Sequence, residues 1–254
     1  MKLLLLLFFL SPVATFSQET ILQVIDTAVQ KEFYLYDVKA RDNFFKSPDS
    51  TIYYGEKFAV LANQGNNLIA KIEAQNLIGC GQYLKGYYVD AITTFLSILK
   101  IVERAKETKL KTSGLMEIYD GLGCTYCEAG FFEEGIPYLY KANNLALVLN
   151  DTSGLLNETG SIGMYYEKNN QLDSAEYYLT KGLSMSDAYS IDFYRPSLLY
   201  SLGDCKMKKG QINNAVEIWK KVITYVGIDN LSAGKAYKDL GKFYLEKGYY
   251  DSSY

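Results

Sequence analysis

The stretch from Leu122 to Ala142, LGCTYCEAGFFEEGIPYLYKA, predicts two short amphipathic helices joined by a glycine turn. The residues that mark the first helix, the turn and the second helix are, in order, Leu122, Gly123 and Tyr126, then Gly130, then Phe132, Gly135, Leu139 and Ala142. The same pattern returns at least four more times along the chain. Such repetition predicts a scaffold, but it does not identify a ligand.

Two series of residues fix the register of the repeat. A small residue of the first helix recurs at spacings of 44, 40, 40 and 38 residues, as Gly79, Gly123, Gly163, Gly203 and Gly241. Seven residues after each comes a turn residue: Gly86, Gly130, Asn170, Gly210 and Gly248. Glycine adopts the left-handed conformation freely and asparagine tolerates it, so each turn residue is predicted to end a helix.

The second helix repeats a small residue followed by a large one. The small residues, five positions after the turn, are Ala91, Gly135, Ala175, Ala215 and Ser253. The large residues, four positions further along the same helix face, are Phe95, Leu139, Leu179 and Trp219. This order predicts that the two helices of each pair approach each other closely.

The order G-x-x-Y, then A-x-x-x-F, resembles the tetratricopeptide repeat (TPR). Tyr126, Tyr166 and Tyr244 fill its tyrosine position, whereas Gln82 and Lys206 depart from it. The repeat is longer than the usual 34 residues and lacks the usual proline. The resemblance covers residues 73–254 and implies an all-α fold, a right-handed superhelical solenoid of antiparallel helix pairs with repeats of about 38–44 residues.

Helical periodicity assigns a range to each helix of the repeat region. The predicted first helices are residues 70–85, 114–129, 155–168, 196–209 and 233–247. The predicted second helices are residues 88–105, 132–149, 172–185 and 212–225. Polar or glycine-containing connections are expected at 108–113, 150–154, 187–195 and 227–232.

The segment before the repeats divides into two parts. Residues 1–17 combine Lys2, an apolar run from Leu3 to Leu10, and small residues around Ser17, which predicts a secretory signal peptide; an uncleaved membrane anchor is the alternative. Residues 18–66 are predicted to form a degenerate first repeat or, alternatively, a plain capping helix pair. Within them, Ser47-Pro48-Asp49 is typical of a helix start.

The last repeat is expected to be incomplete within residues 67–254. Asp251-Ser252 matches the opening of a second helix at Asp173-Ser174, and the chain stops about one turn later. We therefore expect this chain to be the front part of a longer protein or a truncated copy of one, with residues 233–254 the least stable region.

Composition argues against several function classes. The chain contains no histidine, the commonest general base and metal ligand, and no phosphate-binding loop or dinucleotide fingerprint. Removal of the predicted signal segment 1–17, whose only charged residue is Lys2, leaves 25 basic and 29 acidic residues and a net charge of −4. This mild negative charge argues against nucleic acid as a partner. No catalytic, metal or cofactor site is predicted.

Cysteines and tyrosines leave alternatives open. Cys124 and Cys127 have the thioredoxin spacing but fall in mid-helix, so packing, a disulfide and thiol redox chemistry all remain possible for them and for Cys80 and Cys205. The 24 tyrosines serve either as helix-packing residues or as an aromatic ligand surface.

In TPR arrays the first helices line a concave groove, and the resemblance implies a ligand-binding face here. Its polar and aromatic candidates are Asn76, Tyr83, Asp120, Glu128, Glu167, Lys168, Tyr200, Asp204, Lys208, Lys238 and Lys242. The remaining groove-facing positions are Cys80, Cys124, Cys127, Met164, Met207 and Leu245. Alternatively, these positions are merely solvated.

The face is expected to change in charge along the chain. Its early, acidic part contains Glu117, Asp120 and Glu128, and its late, basic part contains Lys235, Lys238 and Lys242. A peptide with charge asymmetry could be held in one direction by such a face.

The sequence therefore predicts a non-catalytic TPR scaffold that binds a protein or peptide. Its composition and signal segment resemble Gram-negative envelope proteins, which implies export to the periplasm or envelope and the extracytoplasmic sensing part of a signal transducer. A structural scaffold in envelope assembly or secretion is one alternative, and a CxxC thiol redox protein is another. Membrane contact is expected only through the signal segment or a missing C-terminal part.

Overall fold

The computed structural model describes residues 27–248, apart from 45, 66, 107 and 228. This part of the chain forms eleven α-helices and no strand. They are α1 (Thr27–Asn43), α2 (Pro48–Gln64), α3 (Leu68–Lys85), α4 (Tyr88–Glu103), α5 (Lys109–Glu128), α6 (Phe132–Leu149), α7 (Thr152–Lys168), α8 (Leu172–Tyr189), α9 (Arg195–Lys208), α10 (Ile212–Ile223) and α11 (Asn230–Glu246). The predicted signal segment and the predicted helix start at Asp251 lie outside the described residues.

The all-α prediction is confirmed, and the predicted helices are found with shifts at their ends. The predicted start at Ser47 is correct, because the Ser47 hydroxyl accepts a hydrogen bond from the Ser50 amide. The connection predicted at 108–113 is wrong: α5 begins at Lys109, because the Thr108 hydroxyl accepts a hydrogen bond from the Lys111 amide. None of the described helices combines the length and apolarity needed to cross a membrane.

The predicted turn residues all adopt the left-handed conformation. Their φ angles are 79° at Gly86, 92° at Gly130, 59° at Asn170, 74° at Gly210 and 77° at Gly248. Three further left-handed residues lie after second helices and were not predicted: Asn150 and Ser190, both with φ 54°, after α6 and α8, and Gly227, with φ 96°, after α10. Left-handed residues therefore occur both inside repeats and, after α6, α8 and α10, between repeats.

The described chain divides into two compact units, residues 27–155 and 156–248, with the division inside α7. In the first unit, α1, α2 and α3 share one core, formed by Ala40, Phe58, Ala62, Ala70, Ala74 and Leu77. In the second unit, α10 and α11 share a core formed by Val216, Trp219, Val222, Ala236 and Leu240. The segment before the repeats thus packs directly on the first helix of the repeat region.

In four helix pairs of the repeat region, a glycine of the first helix contacts one large side chain of the second helix. A Cβ atom placed on Gly79 would lie 2.6 Å from Phe95, and one on Gly123 would lie 2.6 Å from Leu139. Gly163 faces Leu179 and Gly203 faces Trp219 in the same way. No side chain fits at these glycines without separating the helices, which confirms the predicted close approach.

One departure at the tyrosine position, Gln82, is matched by a change in the partner helix. Tyr166 stacks on Tyr178, with ring centroids 5.8 Å apart, and Tyr126 stacks on Tyr138 at 5.9 Å. Where Gln82 replaces the tyrosine, Thr94 replaces its partner and donates a 2.8 Å hydrogen bond to the Gln82 amide oxygen. Stacking and hydrogen bonding therefore occupy equivalent places in different repeats.

Candidate ligand-binding face of the first helices

Polar side chains connect neighbouring first helices inside each unit. In the first unit, Arg41 Nη2 of α1 donates to Glu73 Oε2 of α3 at 2.6 Å, and Asn76 Nδ2 of α3 donates to Glu117 Oε2 of α5 at 2.6 Å. In the second unit, the Tyr200 hydroxyl of α9 donates to Asp239 Oδ2 of α11 at 2.7 Å. Several predicted site residues are thus paired with residues about one repeat away.

The first unit carries a buried cluster of four carboxylates around one guanidinium. Arg41 bridges Asp37, at 2.8 Å, and Glu73, at 2.6 Å, and both carboxylate residues are buried. Burial raises the pKa of the Glu73 carboxyl, while the charge of Arg41 opposes that rise. One positive charge therefore faces an excess of acidic groups.

Glu117 and Asp120 complete this cluster from α5. Burial, reinforced by the charge of Glu73, raises the pKa of Glu117 to about 8. Asp120 is buried and accepts a hydrogen bond from the Cys124 thiol at 3.3 Å. The neutral form of Glu117 is therefore favoured, which makes this face less negative than its residue types suggest.

The second unit has an open pocket of about 330 Å³ between α9, α10 and α11. We call it the acidic-aromatic pocket; its defining residues are Tyr200, Asp204, Met207, Trp219, Asp239 and Phe243. Lys208, Lys242 and Glu246 complete its lining. Three predicted site residues of α9 and one of α11 thus meet at a single cavity.

The position of Asp204 in this pocket disfavours its ionised form. Burial, together with the charges of Glu167 and Asp239, raises the pKa of Asp204 to about 7. Burial and the charge of Asp204 also raise the pKa of Tyr200, so its hydroxyl stays protonated and donates to Asp239. The protonated form of Asp204 is therefore favoured relative to that of an exposed aspartate.

The late part of the face is of mixed charge rather than basic. Lys208 forms a 2.6 Å ion pair with Glu167, and the Lys242 side chain is 75% exposed, 4.0 Å from Glu246. Burial and the charge of Lys168 lower the pKa of Lys235, whose ammonium lies 5.6 Å from the centre of the Tyr200 ring. The expected basic character is offset by the acidic groups of α9 and α11.

The remaining predicted site residues are not part of either cluster. Tyr83 is only 1% exposed and its ring lies 5.9 Å from that of Tyr88, so it packs inside the first unit. Glu128 is half-buried, Lys238 is exposed, and the Lys168 ammonium lies 5.2 Å from the Tyr165 ring. These residues do not converge with the others on one cavity.

Sequence reasoning did not identify Asp37, Arg41, Glu73 and Asp239 as members of the face. For Glu73 a signal was present, because it precedes Gly79 by six residues, as Glu117 precedes Gly123. Arg41 and Asp37 lie in the degenerate segment, where no repeat register exists. Asp239 follows Lys238 directly and carries no repeat signature of its own.

All four cysteines lie in the described part of the chain, and none forms a disulfide. Cys80, Cys124 and Cys205 are buried, and burial raises the pKa of the Cys80 and Cys205 thiols. Cys127 packs where Gly135 leaves room for its sulfur atom. In the same described residues, His, Cys, Asp and Glu form no group of three that could hold a metal ion.

No protein-family model matches this sequence, and no curated protein matches it. Solved structures do match. A Rap protein complexed with Competence and Sporulation Factor has a TM-score of 0.65 at 14% identity, over 90% of this chain and 62% of that chain. Aspartyl phosphate phosphatase F from Bacillus subtilis has a TM-score of 0.61 at 16% identity, over 90% of this chain and 58% of that chain.

A third similar structure contains nearly identical TPR-like repeats of a kinesin light chain from Podosopora anserina. Its TM-score is 0.57 at 13% identity, over 77% of this chain and 92% of that chain. The chain spans less than two thirds of the length of the Rap protein and of the phosphatase. At these identities the likeness concerns the fold, and the chain has the TPR-like helical-repeat fold that its sequence resembles.

Proposed function

We propose that this chain is a non-catalytic module that binds a protein or peptide segment through the polar face of its first helices. The observation that carries the proposal is the acidic-aromatic pocket, which is open to solvent and combines carboxylates with aromatic walls. Its volume of about 330 Å³ is at the lower end of the range for ligand sites, which suits one or two side chains of a larger partner.

The fold supports binding of an extended segment rather than chemistry on a small substrate. TPR-like repeats present a row of first helices, and successive side chains of a bound segment can contact successive repeats. One of the similar solved structures, the Rap protein, is a complex with Competence and Sporulation Factor.

Selection of peptides from a random phage-displayed library on the purified chain tests this proposal. Selected peptides are labelled, and fluorescence anisotropy gives their dissociation constants for the chain and its variants. We expect Lys238→Glu with Lys242→Glu to change the affinity while the melting temperature stays close to that of the wild type, because exposed charges contribute little to stability.

Tyr177→Ala is the matched control, because Tyr177 lies on the second helix α8 and its side chain is 62% exposed. If Tyr177→Ala weakens peptide binding and the first-helix variants leave it unchanged, binding occurs on the second helices and the proposal is wrong.

We also propose that the chain is exported and serves as the sensing part of a signal transducer in a bacterial envelope. The apolar run from Leu3 to Leu10 after Lys2 supports export. Fusion of residues 1–30 to alkaline phosphatase, which is active only outside the cytoplasm, tests it. We expect active phosphatase from this fusion, and no activity after Leu5→Arg with Leu6→Arg. Inactivity of both fusions would contradict export.

A further inference from the structure

We propose that the acidic-aromatic pocket receives the cationic group of a lysine or arginine side chain of the bound peptide, held between Asp204 and Asp239. This inference rests on the proposed function and names the chemistry of one part of the ligand. It is carried by the cavity, by the position of two carboxylates in its wall, and by the engagement of the neighbouring lysines elsewhere.

The two carboxylates have no cationic partner at ion-pair distance among the described residues. In that part of the chain, neither Asp204 nor Asp239 forms an ion pair. The Tyr200 hydroxyl donates to Asp239 at 2.7 Å and also interacts by hydrogen bonding with Asp204, but a carboxylate can accept further hydrogen bonds. The pocket therefore holds acceptor oxygens that a bound ammonium or guanidinium can satisfy.

The two lysines of the lining, Lys208 and Lys242, and Lys235 beside it contact other groups or solvent. Lys208 Nζ contacts Glu167 Oε1 at 2.6 Å and donates to the Glu167 carbonyl at 2.9 Å. Lys242 is largely in solvent, beside Glu246. Lys235 lies against the Tyr200 ring. None of the three lies at ion-pair distance from either carboxylate, so a ligand cation can form a direct ion pair there.

The apolar walls suit the rest of a basic side chain. Trp219 is 4% exposed, and Met207 and Phe243 are half-buried, so together they offer aromatic and thioether surface beside the carboxylates. The methylene groups of lysine and arginine pack on such surfaces while the charged group reaches polar partners. Aromatic faces also attract cations directly.

The charge of Asp204 depends on what occupies the pocket. Glu167 of α7 and Asp239 of α11 disfavour its ionisation, and Lys208 and Lys235 oppose them. A cation beside Asp204 favours the ionised carboxylate. Binding of a basic group is therefore coupled to release of a proton from the protein.

The only tryptophan of the chain, Trp219, lies in this pocket, so its fluorescence reports on the site. The probe is N-acetyl-arginine amide, and N-acetyl-citrulline amide is the uncharged analogue of nearly the same shape. We expect a saturable change in Trp219 fluorescence with the arginine probe only. Asp204→Asn with Asp239→Asn should weaken that binding roughly tenfold or more, while Asn can still accept the Tyr200 hydrogen bond.

Glu217→Gln is the matched control, because it removes one negative charge from α10 at an exposed position paired with Lys220, outside the pocket. Its affinity for the arginine probe should equal that of the wild type. An equal response to citrulline, or unchanged binding in the Asp204→Asn, Asp239→Asn variant with wild-type helicity, would overturn the inference.

The two proposals fail in different ways. If library-selected peptides bind the double variant as tightly as the wild type, the pocket assignment is wrong and the proposed function stands. If no peptide binds the chain but the arginine probe binds as expected, the pocket assignment is supported and the proposed function is wrong.

Discussion

Gly123 and Leu139 offer the sharpest test of how the helix pairs are held together. In Gly123→Ala, the new Cβ would lie 2.6 Å from Leu139 Cγ and 3.0 Å from the Leu139 backbone nitrogen. Because a backbone atom is involved, rotation of the leucine side chain alone cannot relieve the overlap. We expect this substitution to lower the free energy of unfolding by about 1–3 kcal/mol.

The same substitution at Gly234 is the matched control. Gly234 lies within α11 and has no atom within 4 Å of the added Cβ. Alanine is a better helix former than glycine, so Gly234→Ala should raise the free energy of unfolding by about 0.5–1 kcal/mol. One chemical change is thus expected to have opposite effects at two helical positions.

A double-mutant cycle isolates the contact itself. Leu139 is fully buried, and Leu139→Ala should cost about 2–5 kcal/mol by leaving a cavity. In the double variant the methyl group added at Gly123 enters that cavity, so the combined loss should fall short of the sum of the two single losses by about 0.5–3 kcal/mol. Urea unfolding followed by circular dichroism gives the stabilities, and hydrogen exchange in α5 and α6 confirms the location. Additive losses, or a stabilising Gly123→Ala, would refute the packing described here.

Three further predictions concern the turns and the buried carboxyls. Gly130→Ala should lower the free energy of unfolding by about 1 kcal/mol, because Gly130 has the left-handed φ of 92°. Gly130→Asn should lower it less, since Asn170 adopts the left-handed conformation at the equivalent position. Thermal melts of both variants test this difference. In the folded chain the pKa of Glu117 is raised from 4.5 to about 8, so the unfolded chain releases this proton at a lower pH. The free energy of unfolding should therefore fall as the pH rises from about 4.5 to about 8. Melting temperatures measured across this pH range should fall less steeply for Glu117→Gln than for the wild type. The pKa of Asp204 is about 7, so binding of the arginine probe should become tighter as the pH rises from about 6 to about 8. Binding titrations of Asp204→Asn should show no such pH dependence.

Local chemistry made the repeat predictable. Glycine and asparagine at the turn positions have a conformational reason to be there, and so do the glycines that meet Phe95 and Leu139. The start of α5 was missed because its cap, Thr108, precedes a polar stretch that looks like a connection. Periodicity locates a helix where its apolar face is buried, but the first turn depends on a cap.

The candidate face was only partly predictable, for a different reason. Repeat register placed Asn76, Asp120, Tyr200 and Asp204 on it, but register does not say which side chains meet across helices. Tyr200 and Asp239 are 39 residues apart, and their contact depends on how α9 and α11 are turned toward each other. Arg41 could not be placed at all, since the segment that contains it lacks the repeat pattern.

The most direct test of the account is a crystal structure of this chain bound to a library-selected peptide. The account predicts that the peptide lies along the first helices of the second unit. A lysine or arginine of the peptide should place its nitrogen within about 2.7–3.2 Å of the Asp204 or Asp239 carboxylate. A peptide seated on the second helices, or one whose acidic side chain enters the acidic-aromatic pocket, would contradict it.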